Sequence, residues 1–249
     1  MASGASGLRE LQWVDLFGIS DMVNSVPLLK DSHPHNLAPL ANTVLVGLFI
    51  LFFAYLATKK IRKNKDDLVP SAKFGFQNFG ELIVQALSGM LEESLGHDAK
   101  RFIPLLGTLG LFILFSNLSG LVPGLLPPTE SINTTAACAL IIFFTTHIIG
   151  FKTHGLKYLK QFVGPFWWLA ILMIPLEIIS HCARPLSLSL RLFGNIMGDH
   201  LVFSIIVGLV AFLVPVPVLA LGLFVSIVQT VVFLLLSTVY IGGALAEAH

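Results

Sequence analysis

Long apolar runs separated by short polar stretches dominate this chain. A membrane-spanning helix requires about 20 consecutive, mainly apolar residues. Four runs have roughly this length, at residues 40–58, 102–122, 133–150 and 218–242. Residues 70–95 have the period of a helix but are too polar to span a bilayer. That stretch therefore predicts an amphipathic helix lying at the membrane interface.

Residues 166–214 form a fifth apolar run, which is too long for one ordinary span. Roughly 49 residues would make a helix about 70 Å long, whereas the hydrocarbon core of a bilayer is about 30 Å thick. Either the run turns back near residues 181–185, or it forms one long and strongly tilted helix. Because a single proline such as Pro185 usually only kinks a membrane helix, the pattern leaves both arrangements open.

The composition is that of an all-α membrane protein. Hydrophobic residues make up 55% of the 249 residues and charged residues only 12%, against roughly 25% charged residues in soluble domains. The mean hydropathy is +0.85. A net charge of +1 gives no reason to expect nucleic acid as a partner. The two cysteines, Cys138 and Cys182, lie in apolar stretches without a metal-site spacing, so we expect small buried residues there.

Basic residues predict the orientation in the membrane. The first run is followed by a cluster of five basic side chains, and the third run by three more: Lys59, Lys60, Arg62, Lys63 and Lys65, then Lys152, Lys157 and Lys160. The positive-inside rule assigns both groups to the cytoplasm, which puts the N-terminus outside and the interfacial helix on the cytoplasmic side. Residues 1–39 are then an extracytoplasmic segment without a recognisable cleavable targeting sequence, and residues 40–249 form a single membrane domain.

A narrow polar stripe runs along the longest apolar run, with Arg191 at its centre. On a helical wheel of about 100° per residue, the side chains of Asn195, Arg184 and Glu177 fall within about 40° of Arg191. A guanidinium does not lose its proton in a protein, and an arginine in mid-membrane costs about 2.5–3.5 kcal/mol on insertion scales. Such a stripe must face protein or water, and it marks a candidate functional site.

Two interpretations of the stripe remain open. It is either a buried structural network, in which Asn195 bonds a neighbouring helix, or an ion path in which Arg191 meets a carboxylate of another chain. The second is favoured because no carboxylate lies three or four residues from Arg191. His200 falls about 180° away on the wheel, and it is either a packing residue or, beside Asp199, a proton carrier that titrates near neutral pH. Since the chain has no phosphate-binding loop or nucleophile elbow, we expect no covalent catalysis, metal or cofactor.

The segment RPLSLSLRLFGNIMGDH, residues 184–200, closely resembles the signature of subunit a of F-type ATP synthases. Its core, SLSLRLFGN, is highly specific to that family. The resemblance continues in three further segments, FSNLSGLVPG, PTESINTT and VQTVVFLLLSTVYI, which are similar to the end of a family helix, the loop after it and the last helix. It covers most of the chain except roughly the first forty residues.

The resemblance implies a fold and an assembly. The fold has five transmembrane helices plus one cytoplasmic interfacial helix, with the last two membrane helices long and strongly tilted. The implied setting is the bacterial inner (plasma) membrane, as part of the membrane sector of the ATP synthase. The implied partners are a ring of c subunits, the b subunits of a peripheral stalk and the lipid bilayer. The subunit would be non-catalytic, with two offset half-channels that pass protons to and from a ring carboxylate, which couples the gradient to ATP synthesis.

The resemblance also implies roles for individual residues. Arg191 matches the arginine that faces the ring carboxylate, keeps it ionised and prevents a proton leak. Asn195 and Gln229 match residues of the outer half-channel and of the final helix opposite the arginine. Glu177 matches the acidic residue of the cytoplasmic half-channel, and Arg184 a basic residue near it.

The chain departs from the family pattern in the outer half-channel. Gly120 and Gly222 stand where relatives carry an aspartate and a histidine or glutamate, respectively. We therefore expect Asp199, His200 and Glu130 to substitute in the proton relay, with Asn117 beside them.

Two other functions fit an arginine within the membrane. A secondary cation/proton antiporter also carries buried charges, but it usually has inverted repeats, and no internal repeat is evident here. A purely structural membrane scaffold would not require Arg191.

The translocated ion is either H⁺ or Na⁺. The ring carboxylate and its ligands decide which of the two is carried, so this chain does not determine the choice.

Overall fold

The structure, a computed structural model, describes residues 34–63, 76–122, 125–155, 158, 170–209 and 215–246. Within these ranges the chain is helical and contains no β-strand. The helices are α1 (Pro34–Lys63), α2 (Phe76–Leu95), α3 (Ala99–Ser119), α4 (Ile132–His154), α5 (Ala170–Leu209) and α6 (Pro215–Ala246), with short 3-10 turns at Gly96–Asp98 and Pro128–Glu130. The prediction of an all-α protein is confirmed for the described residues.

Five of these helices are long and apolar enough to cross a membrane. The candidate spans are Leu40–Ala57, Ala99–Ser119, Ile132–His154, Ile171–Ile206 and Val216–Ala246. The prediction of five helices long and apolar enough to cross a membrane is therefore confirmed. The remaining helix, α2, coincides with the stretch that the sequence assigned to an interfacial helix, and it packs against α1, α3 and α6.

Helix α5 is continuous over 40 residues. At 1.5 Å per residue its length is about 60 Å. Pro175 and Pro185 both lie inside the helix, so the alternative of a turn near residues 181–185 is excluded. One long helix accounts for the unusual length of the apolar run.

The core lies where α3, α4, α5 and α6 meet. Its most buried members include Leu106 and Ile113 of α3, Ile142 of α4, Leu192 of α5 and Phe233 of α6. The outer surface is also apolar, as large hydrophobic side chains are exposed along four of the five candidate spans, Ala99–Ser119 being the exception. A soluble protein rarely exposes such surface, whereas a lipid-facing helix requires it.

Several predictions concern residues outside the described part. Residues 1–33, the basic side chains at 59–65, and Lys157 and Lys160 all lie there. The orientation that these charges predict consequently stays a prediction. Of the two cysteines, Cys138 is buried as expected, but Cys182 is exposed on α5, so the expectation of burial is wrong for it; its helix turns that side away from the core.

Candidate functional site

Arg191 is exposed on α5, next to one of the most buried residues of that helix. Leu188 and Leu192 point into the core, whereas the Arg191 side chain is turned to the outside. Within the described residues, no hydrogen bond or ion pair involves its guanidinium. The positive charge is thus presented on a surface rather than neutralised inside the chain.

A groove between α5 and α6 begins one helical turn after Arg191. Asn195 Nδ2 donates a hydrogen bond of 2.6 Å to Gln229 Oε1, which ties the two helices together. The groove has a volume of about 410 Å³, and it is lined by Gly194, Asn195, Gly198, Asp199, Phe224, Val225, Val228 and Gln229. The predicted bond from Asn195 to a neighbouring helix is therefore present, with Gln229 as its partner.

A second cavity lies deeper, between α3, α5 and α6. Its volume is about 130 Å³, and its polar lining consists of Asn117, Asp199, His200 and Ser226. Asp199 lines both this cavity and the groove, so it forms part of the wall that the two spaces share. Gly120 and Gly222, the two positions that depart from the family pattern, line the same cavity.

An acidic residue of the connection between α3 and α4 lies beside His200, which lines this cavity. Glu130 Oε1 lies 3.4 Å from His200 Nδ1. The turn that carries Glu130 is held by Thr129, whose hydroxyl donates a buried hydrogen bond of 2.8 Å to Asn117 Oδ1 of α3. The structure thus brings Glu130, His200, Asp199 and Asn117 to one place.

Several polar atoms at this end of the molecule are buried without a hydrogen-bond partner among the described residues. They are Ser116 Oγ, Asn117 Nδ2, Glu130 Oε2, Asp199 Oδ2 and Gln229 Nε2. Buried polar groups in proteins nearly always have a partner. Asn117 and Asp199 line the cavity, and Asp199 and Gln229 line the groove, so water bound in these two spaces would give the atoms of those residues partners.

The opposite end of α5 carries a separate group of charged side chains. Glu177 Oε1 lies 3.3 Å from Nδ1 of the buried His181. Arg184 lies over the ring of Tyr240 of α6, with 5.6 Å from its Cζ to the ring centroid. No ion pair between Glu177 and Arg184 is present among the described residues, in keeping with the seven residues between them, about 10 Å along the axis.

The sequence did not identify all the residues of these groups. Thr129 and Tyr240 were missed because their partners lie on other elements, and no local signal distinguishes them. His181 was missed as well, although its position four residues after Glu177 places both on one helix face. His147 of α4 was missed, and its ring lies 5.3 Å from that of His181, centroid to centroid. Within the described part, no group of three His, Cys, Asp or Glu residues has a geometry suited to a metal ion.

Comparisons with known proteins agree with the motif. The family model described as ATP synthase A chain matches residues 40–242. The chain is 50% identical over 210 residues to "ATP synthase subunit a" of Geobacter sulfurreducens, covering 84% of this chain and 88% of that protein. It is 48% identical over 210 residues to "ATP synthase subunit a 1" of Pelobacter propionicus, with the same coverage. It is 48% identical over 207 residues to the subunit a of Trichlorobacter lovleyi, covering 83% of this chain and 86% of the relative.

Proposed function

The chain belongs to the ATP synthase A chain family, the proton-translocating and non-catalytic subunit a of the membrane sector, and from this premise we propose that Arg191 is its ion-coupling residue. The observation that carries the proposal is the exposed guanidinium, which has no hydrogen-bond or ion-pair partner among the residues that the structure describes. A charge that cannot be neutralised needs a counter-ion or water inside a membrane. A carboxylate on a neighbouring ring of c subunits would supply that counter-ion.

The outer half-channel leads from the loop between α3 and α4 to the groove beside Arg191. Glu130 and His200 stand at its outer part, Asp199 and Asn117 in the cavity, and Asn195 with Gln229 at its inner end. The shared position of Asp199 between cavity and groove supports this order. Glu130 replaces the titratable groups that Gly120 and Gly222 lack, since its carboxylate reaches His200 from the loop.

The cytoplasmic half-channel lies at the other end of α5, at Glu177 and Arg184. About 35 Å of helix separates Glu177 from His200 at 1.5 Å per residue, and Arg191 lies between them. The two polar groups therefore open toward different sides without a continuous path. Arg191 blocks direct passage, because a proton approaching its fixed positive charge is repelled.

The ring carboxylate carries each proton from one half-channel to the other. A neutral carboxyl group enters lipid at far lower cost than a carboxylate, so protonation at the outer half-channel permits rotation away from Arg191. After almost a full turn the carboxyl group reaches the Glu177 side and releases its proton. A charge that crosses the membrane gains about 2.3 kcal/mol per 100 mV. The same path accepts Na⁺ where the ring carboxylate binds that ion.

This function requires a defined placement in the membrane. We propose that α5 and α6 are strongly tilted, because lengths of about 60 and 48 Å exceed a hydrocarbon core of about 30 Å. The N-terminus lies outside, the C-terminus and the interfacial helix α2 lie on the cytoplasmic side, and the setting is the bacterial inner membrane.

The peripheral-stalk b subunits hold the subunit against the ring. The family assignment removes the support for a secondary antiporter.

The coupling role of Arg191 is tested by Arg191→Ala in the assembled complex in proteoliposomes. ATP synthesis driven by an imposed proton gradient should fall to background, since the ring carboxylate loses its counter-ion and the barrier to leakage disappears. Arg101→Ala is the matched control, because Arg101 is an exposed arginine at the start of α3, and it should retain normal synthesis. Synthesis at a near-normal rate in Arg191→Ala would show that another group couples the ion.

A further inference from the structure

Asn42 is a buried polar residue of α1, a helix to which the proposed mechanism assigns no role. Its side chain is only 3% exposed, whereas the apolar side chains of Leu40, Val44 and Leu45 around it are exposed. This part of α1 therefore turns a polar group inward and apolar groups outward. A buried amide is costly unless it is hydrogen-bonded, so the contacts of Asn42 indicate why it is placed there.

The side-chain amide of Asn42 is bonded to the connection between α3 and α4. Its Nδ2 donates a hydrogen bond of 2.6 Å to the backbone carbonyl oxygen of Leu126, 84 residues further along the chain. A carbonyl oxygen only accepts hydrogen bonds, so this contact requires a donor at position 42. Leu126 lies four residues before Glu130, which ends the 3-10 turn Pro128–Glu130. The bond thus joins α1 to the segment that carries the Glu130 carboxylate.

The same segment has two further attachments, both to the end of α3. Pro127 packs on Gly120, where a Cβ atom would lie 3.0 Å from Pro127 Cγ. The hydroxyl of Thr129 donates its hydrogen bond of 2.8 Å to Asn117 Oδ1. Because a proline has no backbone N–H to donate, the segment depends on such contacts with other elements. Together with the bond from Asn42, they hold it from two helices.

We propose that Asn42 is a positioning residue of the outer half-channel, which holds this segment so that the Glu130 carboxylate stays beside His200. The proposal rests on the proposed function, since that function places both side chains on the proton path. Glu130 Oε1 is 3.4 Å from His200 Nδ1, and a hydrogen bond weakens steeply beyond that distance. No described residue of α1 lines the cavity, so α1 contributes to proton entry through the bond from Asn42 to Leu126.

The geometry is tested by crosslinking in the assembled complex, in a subunit with Glu130→Cys and His200→Cys. A short bifunctional thiol reagent should join positions 130 and 200, and mass spectrometry of the joined peptides distinguishes this product from those of Cys138 and Cys182. Because both functional side chains are replaced, the yield reports how the segment is held and not the attraction between carboxylate and imidazole. Adding Asn42→Leu should lower the yield at least about twofold, as expected for the loss of one ordinary hydrogen bond.

Gradient-driven ATP synthesis in proteoliposomes tests whether Asn42 acts through Glu130. Asn42→Leu should slow synthesis about two- to fivefold, the shift in an equilibrium that one hydrogen bond produces. Asn42→Leu combined with Glu130→Gln should be no slower than Glu130→Gln alone, because no carboxylate is left to position. A purely structural role of Asn42 would instead multiply the two losses.

Two further variants of α1 serve as controls. Asn42→Gln retains an amide donor, so it should restore a large part of the crosslinking yield and of the synthesis rate. Val46, one turn further along α1, is also buried, at 4% exposed. Val46→Ala weakens the packing of the helix without removing the bond to Leu126, so yield and rate should stay normal. If Asn42→Leu does not assemble, Asn42→Ala removes the same amide with a smaller side chain, and the same losses are expected.

An unchanged crosslinking yield without the amide would overturn the positioning role of Asn42. Multiplied losses in the variant that also carries Glu130→Gln, or failure of both Asn42→Leu and Asn42→Ala to assemble, would overturn it as well and indicate a structural role alone. The proposed function fails separately. Normal synthesis in Glu130→Gln alone would remove that carboxylate from the proton path, even where the crosslinking yield shows that Asn42 holds the segment.

Discussion

Arg191 and the adjacent Leu192 lie on different sides of α5, and this difference determines which groups the arginine is able to contact. Leu192 is 0% exposed, whereas Arg191, about 100° away around α5, is exposed. A guanidinium on the buried side would need a partner in this chain, whereas one on the exposed side is available to another subunit. If α5 were rotated by one residue about its axis, the guanidinium would face the core and could not contact another subunit.

Glu130 offers the sharpest residue-scale test of the outer half-channel. In Glu130→Gln the side chain keeps its size, but it no longer holds a negative charge 3.4 Å from His200. We expect gradient-driven ATP synthesis to slow about three- to tenfold, because water in the cavity replaces only part of an acid–base relay. The synthesis rate of the reconstituted complex measures this.

A matched control for this variant is Glu92→Gln. Glu92 is exposed on α2 and does not line the cavity, so its variant should synthesise ATP at the normal rate. An equal, small effect of both variants would remove Glu130 from the proton path.

The sequence predicted the residues of α5 better than the contacts between elements. A helical wheel relates positions within one helix, so the stripe from Glu177 through Arg191 to Asn195 could be derived from spacing alone. The pair of Glu130 and His200 could not, because 70 residues separate them and only the packing of the loop onto α3 brings them together. The wheel angle of His200, opposite Arg191, correctly excluded it from the stripe but gave no indication of its partner.

At the scale of elements, packing explains why α5 does not turn at Pro185. Leu188 and Leu192 are buried beyond the proline, and the hydroxyl groups of Ser189 and Thr135 lie 3.2 Å apart across the interface with α4. A proline removes one backbone hydrogen bond and kinks a helix, but contacts on both sides of it keep the helix continuous. Hydropathy reports the length of an apolar run and says nothing of these contacts, which is why the sequence left the turn open.

The interface between α3 and α6 depends on the absence of a side chain at Gly110. A Cβ atom there would lie 2.8 Å from Leu234 Cδ1, and Leu234 is only 2% exposed. A Cβ atom at Gly107, one turn earlier in α3, would meet nothing within 4 Å. The two glycines therefore provide a matched pair in one helix.

Gly110→Ala should destabilise the complex relative to Gly107→Ala by about 1–3 kcal/mol, the usual cost of overpacking a core. Both variants gain the same helix propensity, so their difference isolates the clash at Leu234. Thermal unfolding of the purified complex in detergent measures it. Equal stability of the two variants would show that Leu234 moves aside without cost.

At the scale of the whole molecule, hydropathy was sufficient to predict five membrane-length helices, because a bilayer requires at least about 20 mainly apolar residues in every crossing helix. The hydropathy of the sequence also explains why the described helices have an apolar outer surface. The surface around Arg191, which we propose faces the ring, has a different composition. Around Arg191 it carries small residues, Gly194 and Gly198, on the same face of α5 as Asn195.

Small residues spaced along one face allow a second helix to approach closely in a membrane. A Cβ atom at Gly194 or Gly198 would meet nothing within 4 Å in this chain, so neither glycine is required for the fold itself. We therefore expect them to make room for the ring, whose carboxylate must come close to Arg191 to pair with it.

Gly194→Leu should leave the subunit folded and inserted, but it should weaken its association with the ring. The leucine side chain projects toward the docking partner, so it separates the helices where Arg191 has to reach a carboxylate. The amount of ring subunit that co-purifies with the variant, together with crosslinking from position 194 to the ring, measures the effect. Gly47→Leu is the control, because a Cβ atom at Gly47 of α1 also meets nothing within 4 Å and α1 does not carry the stripe. Normal ring content and normal ATP synthesis in Gly194→Leu would mean that the ring docks on another face, and Arg191 would then need a different counter-ion.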